Sequence, residues 1–309
     1  MTVLEAIQKG ADFLNKKGVE SPRLQCELLL AHLLKMPRMK LYLNFERGLT
    51  AAETDNLRGF IQRRGRREPV QQIIGSTSFC GFVIAVNRHV LVPRPETEQL
   101  AELGWQFLLA APGRSDGGPA VLDFCTGSGC IAIALAAKCS GATVTATDIS
   151  ADALALAAEN AAGNNVAGQI EFLEGDGFAA LKEGGGGRPS GLVSANGQNG
   201  SPGVPPRLFD LIISNPPYIA SAEVATLEPE VRDFEPLVAL DGGTDGLDFY
   251  RLLASQARPL LKPAGKLMVE FGEGQAGAVG KIFENEKWIV EAVKEDYSQR
   301  ARILVVRLD

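Results

Sequence analysis

From Pro119 onward, short Val/Ile/Leu runs alternate with helical periods, and this alternation restricts the possible folds more than any other feature of the chain. AVLDF (120–124), ATVTATD (142–148), QIEFLEGD (169–176), FDLIISN (209–215) and KLMVEFG (266–272) read as short buried strands. IAIALAAK (131–138), ADALALAAENAA (151–162) and DFYRLLASQA (248–257) read as helices set among them. Such an order is that of an α/β domain. WIVEAVKED (288–296) and ARILVVRL (301–308) add two closing strands, expected to be antiparallel, which brings the sheet to seven.

The first 70 or so residues have a different texture. Val3, Leu4, Ile7, Phe13 and Leu14 form one helical stripe, and Leu24, Leu28, Leu29, Leu33 and Leu34 a second. Ser21-Pro22 reads as a helix start with the serine as cap, and Thr50 with Glu53 as a capping box. The third helix runs into Arg63, Arg64, Arg66 and Arg67, expected to be a solvated helix end or, alternatively, a docking patch for an acidic or ribonucleoprotein partner. FCGFVIAVNRHVLVP (79–93) predicts a hairpin with its turn near Asn87-Arg88. Pro93-Arg94-Pro95 then forces an extended stretch before a helix beginning near Glu96. The chain therefore divides into a small helical bundle, 1–72, and a hairpin-linked α/β domain, 73–309. Residues 183–206, rich in Gly, Ser, Pro and Asn, predict a flexible insertion.

A net charge of −6 argues against wrapping of long nucleic acid, which needs a basic face. Five scattered cysteines without a Cys-x-x-Cys pair, and two distant histidines, predict no metal site and suit a reducing compartment. No signal-like core and no membrane-length apolar run is visible, so the expected location is the cytoplasm, with no membrane partner.

Asp123-Phe124-Cys125-Thr126-Gly127-Ser128-Gly129 sits where a strand hands over to a helix, at the sheet edge where open α/β folds bind ligands. Asp148 ends the next strand, placed for ribose hydroxyls, and Asp176 ends the third, placed for an adenine amine. Together the three acids suggest a nucleoside cradle. Gly127-x-Gly129-x-x-Ala132 with a later acid also satisfies the dinucleotide fingerprint, and Asp148 alone could cap the helix starting at Ser150.

Ile213 to Ile219 (ISNPPYI) carries the chemistry. Two prolines after a buried strand stiffen the backbone and remove two N–H donors. Asn215 then offers a side-chain carbonyl, Pro216 a main-chain carbonyl, and Tyr218 an aromatic wall. Convergent acceptors hold both hydrogens of a planar NH2 group and return lone-pair density toward an incoming methyl. The expected activity is N-methylation from S-adenosyl-L-methionine, giving S-adenosyl-L-homocysteine, by orientation and desolvation without a general base.

In DFCTGSGCIAIALA, ATDIS, EGD, FDLIISNPPYI, VLVPRPETE (90–98) and EPLVALDGGTDGLDFYR (235–251), the chain resembles the HemK/PrmC family, the release-factor glutamine methyltransferases. A five-helix-like N-terminal domain fits too. The resemblance implies a seven-stranded Rossmann-like class I methyltransferase domain behind a small helical domain that docks the release factor. It implies methylation of the glutamine in the Gly-Gly-Gln loop of class 1 peptide chain release factors, as partners, with no stable nucleic-acid partner. Carried onto this sequence, the cofactor residues are Asp123, Cys125, Thr126, Gly127, Ser128, Gly129, Asp148, Ile149, Asp176, Gly177 and Asn215. The substrate residues are Asn215, Pro216, Pro217 and Tyr218, with Asn215, Pro216 and Tyr218 catalytic. Phe124 and Cys125 stand where the family usually has Leu-Gly, crowding the turn, and Gly177 stands where a bulky residue is common. NPPY is shared with adenine-N6 and guanine-N2 methyltransferases, so a nucleic-acid N-methyltransferase or a ribosomal-protein glutamine methyltransferase is the alternative. A binding module that has lost its chemistry, or a dinucleotide oxidoreductase, fits the NPPY run less well.

Overall fold

The computed structural model describes residues 1–110, 118–182 and 207–309, and every statement of structure concerns those residues. The expected flexible insertion, 183–206, lies outside them.

Five helices come first: α1 (Val3–Lys16), α2 (Pro22–Leu33), α3 (Arg38–Leu41), α4 (Ala51–Gly65) and α5 (Val70–Ile74). Capping boxes start α1 at Thr2/Glu5 and α4 at Thr50/Glu53, each tying down orphan N–H groups at a helix start. The bundle has its own core, in which Val3, Ile7, Leu14, Leu29, Leu30, Leu41 and Leu57 are buried.

One expectation fails here and a second holds only in part. Ser21 lies in the left-handed region at φ +47° and its hydroxyl makes no capping bond, so Pro22 alone marks the start of α2. The buried face of α2 is Cys26, Leu29, Leu30 and Ala31, while Leu24 is 41% exposed. Close packing of α1 on α2 explains the shift. A Cβ on Gly10 would stand 2.5 Å from Cys26 Sγ, so the helices meet on small residues and Leu24 is left outside, while Leu28, Leu33 and Leu34 pack on the margin of the core.

A hairpin follows, β1 (Ser76–Phe79) and β2 (Phe82–Ala85), with Phe79 opposite Phe82. Its turn is Cys80-Gly81, not Asn87-Arg88. Both turn residues have positive φ, +51° and +85°, the geometry that matches strand twist in a two-residue turn. Asn87 makes a separate bend beyond the strands, its side chain accepting from His89 N at 2.9 Å.

The α/β part runs α6 (Pro95–Ala110), β3 (Ala120–Phe124), α7 (Cys130–Lys138), β4 (Thr143–Asp148), α8 (Ala151–Gly163), β5 (Ile170–Glu174) and α9 (Ala179–Lys182). It continues β6 (Phe209–Ser214), α10 (Pro229–Arg232), α11 (Asp248–Gln256), β7 (Leu261–Glu270), α12 (Ala276–Asn285), β8 (Ile289–Glu295) and β9 (Ala301–Arg307). The seven-stranded sheet has the order β5-β4-β3-β6-β7-β9-β8. β3 to β7 pair in parallel, and β9 runs antiparallel to both neighbours, as the closing strands predicted.

The period of two divides the strands between two cores. Val121, Ile213, Met268 and Val305 face α6, α7 and α8, while Leu122, Ile212, Leu267 and Leu304 face α11 and α12. Residues Cys130 to Ala136 of α7 are all buried, so this helix is apolar all round. No described helix is long and apolar enough to cross a membrane.

Three arginines of the run, Arg63, Arg64 and Arg67, are spent within the chain, while Arg66 stays exposed at the helix end. Arg63 pairs with Glu68, and Arg64, only 5% exposed, donates to Glu230 Oε1 at 2.7 Å. Arg67 donates to the same oxygen at 2.7 Å and to Glu228 at 2.9 Å, and Gln72 Nε2 donates to Phe234 O at 3.0 Å. These contacts fasten the helical bundle to the segment around α10. Burial pushes the Glu230 carboxyl up, but hydrogen bonds from Arg67 and Arg64 outweigh it and hold the pKa below the ordinary value. Its stabilisation is therefore full above the ordinary carboxylate range and is lost as pH falls through the depressed value.

Glu230→Ala leaves Arg64 buried without its anion, and should lower unfolding free energy by about 3 kcal/mol. Glu228→Ala, at a 76% exposed side chain, should cost less than about 1 kcal/mol. Urea denaturation of both variants at pH 7.5 measures the difference, and equal losses would contradict the clamp.

Candidate functional site

Parallel register levels the carboxyl ends of the central strands. Phe124 lies beside Thr147 on one side and Ser214 on the other, and Asp148 lies beside Glu174. The order reverses at β3, where sequence neighbours part to either side, and a crevice opens there. A cavity occupies it.

The β3–α7 turn forms its floor. Cys125, Gly127 and Gly129 all have positive φ, +61°, +55° and +78°. Thr126 N donates to Thr147 O at 2.9 Å, so the turn is pinned to β4. A Cβ on Gly129 would approach Ala157 Cβ to 3.0 Å, so α8 packs directly on the backbone there. Cys125 is the non-glycine of the three, and a left-handed L-residue costs about 1–2 kcal/mol. Glycine is the residue without that strain. The Cys125 thiol stays protonated, pushed well up by burial and then by Asp148, Asp123 and Asp176. The bulk of Phe124 goes into the core, where its ring meets Phe178 at 4.9 Å. Thr126, Gly127 and Ser128 line the cavity; Gly129 does not.

Of the three cradle acids, two reach the cavity. Asp148 Oδ2 accepts from Gly127 N at 2.8 Å and Oδ1 from Ser150 N at 3.0 Å, leaving each oxygen a lone pair for a ligand. Burial is the main cause of its raised pKa. The helix cap proposed for Asp148 falls instead to Ser150, whose Oγ accepts from Ala153 N at 3.2 Å. Ile149, 51% exposed, lays an apolar face beside it, and Asp176 with Gly177 closes the far side. Gly177 sits at φ +57° with Leu252 Cδ2 3.0 Å from where its Cβ would be, so a side chain there is both strained and crowded. Asp123 does not line the cavity. It is fully buried behind the turn, Oδ2 accepting from Thr126 Oγ1 at 2.6 Å and Ala132 N at 3.1 Å, while Oδ1 has no partner. Burial pushes its carboxyl up to about 7.

β4 and β6 flank β3, so Asp148 and the NPPY loop face each other across two strand spacings, about 10 Å. Asn215 and Pro217 line the cavity, whereas Pro216 and Tyr218 do not. The expected aromatic wall at Tyr218 is absent from the lining, because its ring turns into the core: a Cβ on Gly272 would stand 3.1 Å from it. Burial pushes the phenol up to about 12. Phe249 supplies a ring at the cavity instead. Gln275 fixes the loop from behind, donating to Tyr218 O at 2.9 Å and accepting from Gly272 N at 2.8 Å.

Several lining residues have no local signal in the sequence. Arg94 donates to both oxygens of Glu235, at 2.9 and 2.7 Å, and Glu235 has a 1% exposed side chain. That pair joins the Pro93-Arg94 stretch to Pro236, Val238 and Ala239 and makes one rim of the cavity. Thr97, on α6, accepts from Asn215 Nδ2 at 3.1 Å. In sequence PRPETE carries the family resemblance and gives Thr97 no role of its own; only the tertiary packing of α6 on the strand ends brings it to Asn215.

The cavity suits a nucleoside carrying a cationic group: two carboxylates, an exposed aliphatic face and the Phe249 ring. Comparisons with known proteins agree in type. Residues 5–75 match the PrmC N-terminal domain, and 102–185 match the methyltransferase small domain. A release factor glutamine methyltransferase of Geobacter sulfurreducens is 40% identical over 91% of this chain and 88% of its own length. That of Chlorobaculum tepidum is 39% identical over 97% of this chain and 95% of its own. The catalytic domain of hMettl16, solved with the MAT2A 3′UTR hairpin 6, shares the fold alone, with a TM-score of 0.50 at 15% identity over 74% of this chain and 76% of that one.

Asp148→Ala removes a partly desolvated anion with two free acceptor sites, and should weaken S-adenosylhomocysteine binding by about 10²-fold, roughly 3 kcal/mol. Titration calorimetry on the variant checks this, and an unchanged affinity would remove Asp148 from the ligand site.

Proposed function

The chain belongs to the family of release factor glutamine methyltransferases, and from that premise we propose that it methylates the side-chain amide nitrogen of the glutamine in the Gly-Gly-Gln loop of class 1 peptide chain release factors. The observation that carries this reading is Asn215 at the cavity wall, with its Nδ2 turned to Thr97 and its carbonyl left as an acceptor for the substrate. When bound, S-adenosyl-L-methionine supplies an electrophilic methyl on a sulfonium and leaves as S-adenosyl-L-homocysteine.

In this reading the cofactor is held by Cys125 to Ser128, Asp148, Ile149, Asp176 and Gly177, with Asp123 and Gly129 bracing the turn. Asn215 Oδ1 and the Pro216 carbonyl each accept one N–H of the substrate carboxamide. That orients the nitrogen for attack and concentrates its lone pair on the methyl. Pro217 shields the reacting end from water, and Tyr218 keeps the loop rigid from the core side. As the N–C bond forms the nitrogen becomes strongly acidic, and its proton passes to water, so no side chain need act as base. The helical bundle, 1–72, and the Arg94–Glu235 rim offer the release factor its docking surface. The setting is cytoplasmic, where translation terminates.

Labelled S-adenosylmethionine, offered with a class 1 release factor, its Gly-Gly-Gln Gln→Ala variant, DNA and ribosomes, should label the release factor alone. Label on nucleic acid, or on the Gln→Ala protein, would refute the substrate. Asn215→Ala should lower kcat by about 10²-fold or more while S-adenosylhomocysteine affinity stays unchanged, and a loss of that affinity would refute the role of Asn215.

A further inference from the structure

We infer that Thr97 and Glu270 act as a positioning pair that locks the Asn215 amide with its carbonyl toward the substrate, making this end of the cavity acceptor-only and selecting an NH2 group over a carboxylate. The inference rests on the proposed reaction, because it gives the two residues their use there.

Asparagine has two nearly isosteric ends, and a simple rotation exchanges an acceptor for a donor. Only its partners decide which end faces the substrate. Here Nδ2 donates to Thr97 Oγ1 at 3.1 Å. Thr97 is 2% exposed, and its hydroxyl faces the buried Glu270 carboxylate closely enough to favour the charged form of that group. An ionised carboxylate only accepts, so the hydroxyl proton is committed to Glu270 and the threonine oxygen meets Asn215 as an acceptor. Polarity is thereby set along the series, from carboxylate to hydroxyl to amide, and Oδ1 remains for the cavity. Reversing the amide would oppose two acceptors at Thr97 and place a donor where the substrate NH2 arrives.

Glu270 ends β7 at 3% exposure, and its Oε2 has no partner. Tyr250 hydroxyl takes the main-chain carbonyl of the same residue at 2.9 Å, so the backbone is fixed while the carboxylate is left to Thr97. The charged and titratable neighbours are Glu96 and Arg94 before and on α6, Arg302 on β9, Tyr218 after β6 and Tyr250 on α11. Burial above all, and then Glu96, raises the Glu270 pKa to about 7, against Thr97, Arg302 and Arg94. Protonated Glu270 can donate to Thr97, which frees the hydroxyl to point at Asn215 and removes the constraint. The lock therefore holds above about pH 7 and loosens as pH falls through it.

Thr97→Val keeps the shape and deletes the hydroxyl. It should lower kcat about ten- to a hundredfold with S-adenosylhomocysteine affinity unchanged, and Thr97→Ser should restore most of the loss. Glu270→Gln should lower kcat and abolish the acid limb of the wild-type kcat profile near pH 7. Unaltered kcat in Thr97→Val, equal loss of cofactor affinity, or an unchanged acid limb in Glu270→Gln would overturn the lock. A substrate-free measurement separates this from the reaction itself: the Asn215 side-chain amide protons, followed by 15N NMR, should exchange at least about tenfold faster in Thr97→Val, as expected when a buried hydrogen bond is lost. Equal exchange overturns the lock whatever the wild-type protein methylates, whereas failure of wild-type protein to label the release factor overturns the proposed substrate and leaves the exchange result to judge the lock.

Discussion

Parallel pairing of β3 with β4 and β6 is the constraint on which the site depends. Because Phe124, Thr147 and Ser214 share one level, the loops leaving these strands emerge side by side and can exchange hydrogen bonds. Those bonds are the ones observed: Thr126 N to Thr147 O, Gly127 N to Asp148, and Ser214 Oγ to Phe124 O at 2.6 Å. A one-residue slip would break all three and reverse the strand faces between the two cores. Hydrophobic alternation and site geometry therefore enforce the same register.

Beside the cavity the protein keeps the carboxylates of Asp123, Glu235 and Glu270 out of water. Burial raises the pKa of each; Asp123 and Glu270 each keep one oxygen without a partner, while Glu235 is held at both oxygens by Arg94. Such groups weaken the fold, since an apolar residue in their place is often no worse for stability. Each one, however, fixes something at the cavity: the β3–α7 turn, the Arg94 rim, or Thr97. Stability is conceded where orientation is needed.

The sheet was legible in the sequence because its strands are short apolar runs punctuated by turn residues, and AVLDF, ATVTATD and FDLIISN mark their strands to within a residue or two. The Thr50/Glu53 capping box was legible for the same reason, as local chemistry with a fixed spacing. Asp148, the Thr126–Ser128 turn and Asn215 could be placed because each sits at a strand end. What escaped depends on contacts between distant segments. Neither Thr97 beside Asn215 nor Arg94 on Glu235 has a spacing that announces it. The hairpin turn was misplaced because Asn87 is the commoner turn residue, while Cys80 at positive φ is not. Tyr218 was assigned to the cavity because its aromaticity was visible and its direction was not.

The clamp at Glu230 also bears on how such a protein can be recombined. Arg64, Arg67 and Gln72 all land on 228–234, and the next residue, Glu235, holds Arg94 at the cavity rim. The bundle is thus coupled to the rim through a few residues that belong, in sequence, to the other half of the chain. A chimera that exchanged residues 1–72 alone would bring foreign side chains to this seam and leave Glu230 an unmatched anion. The unit of exchange is the bundle together with 228–235, a discontinuous module that only the folded chain assembles.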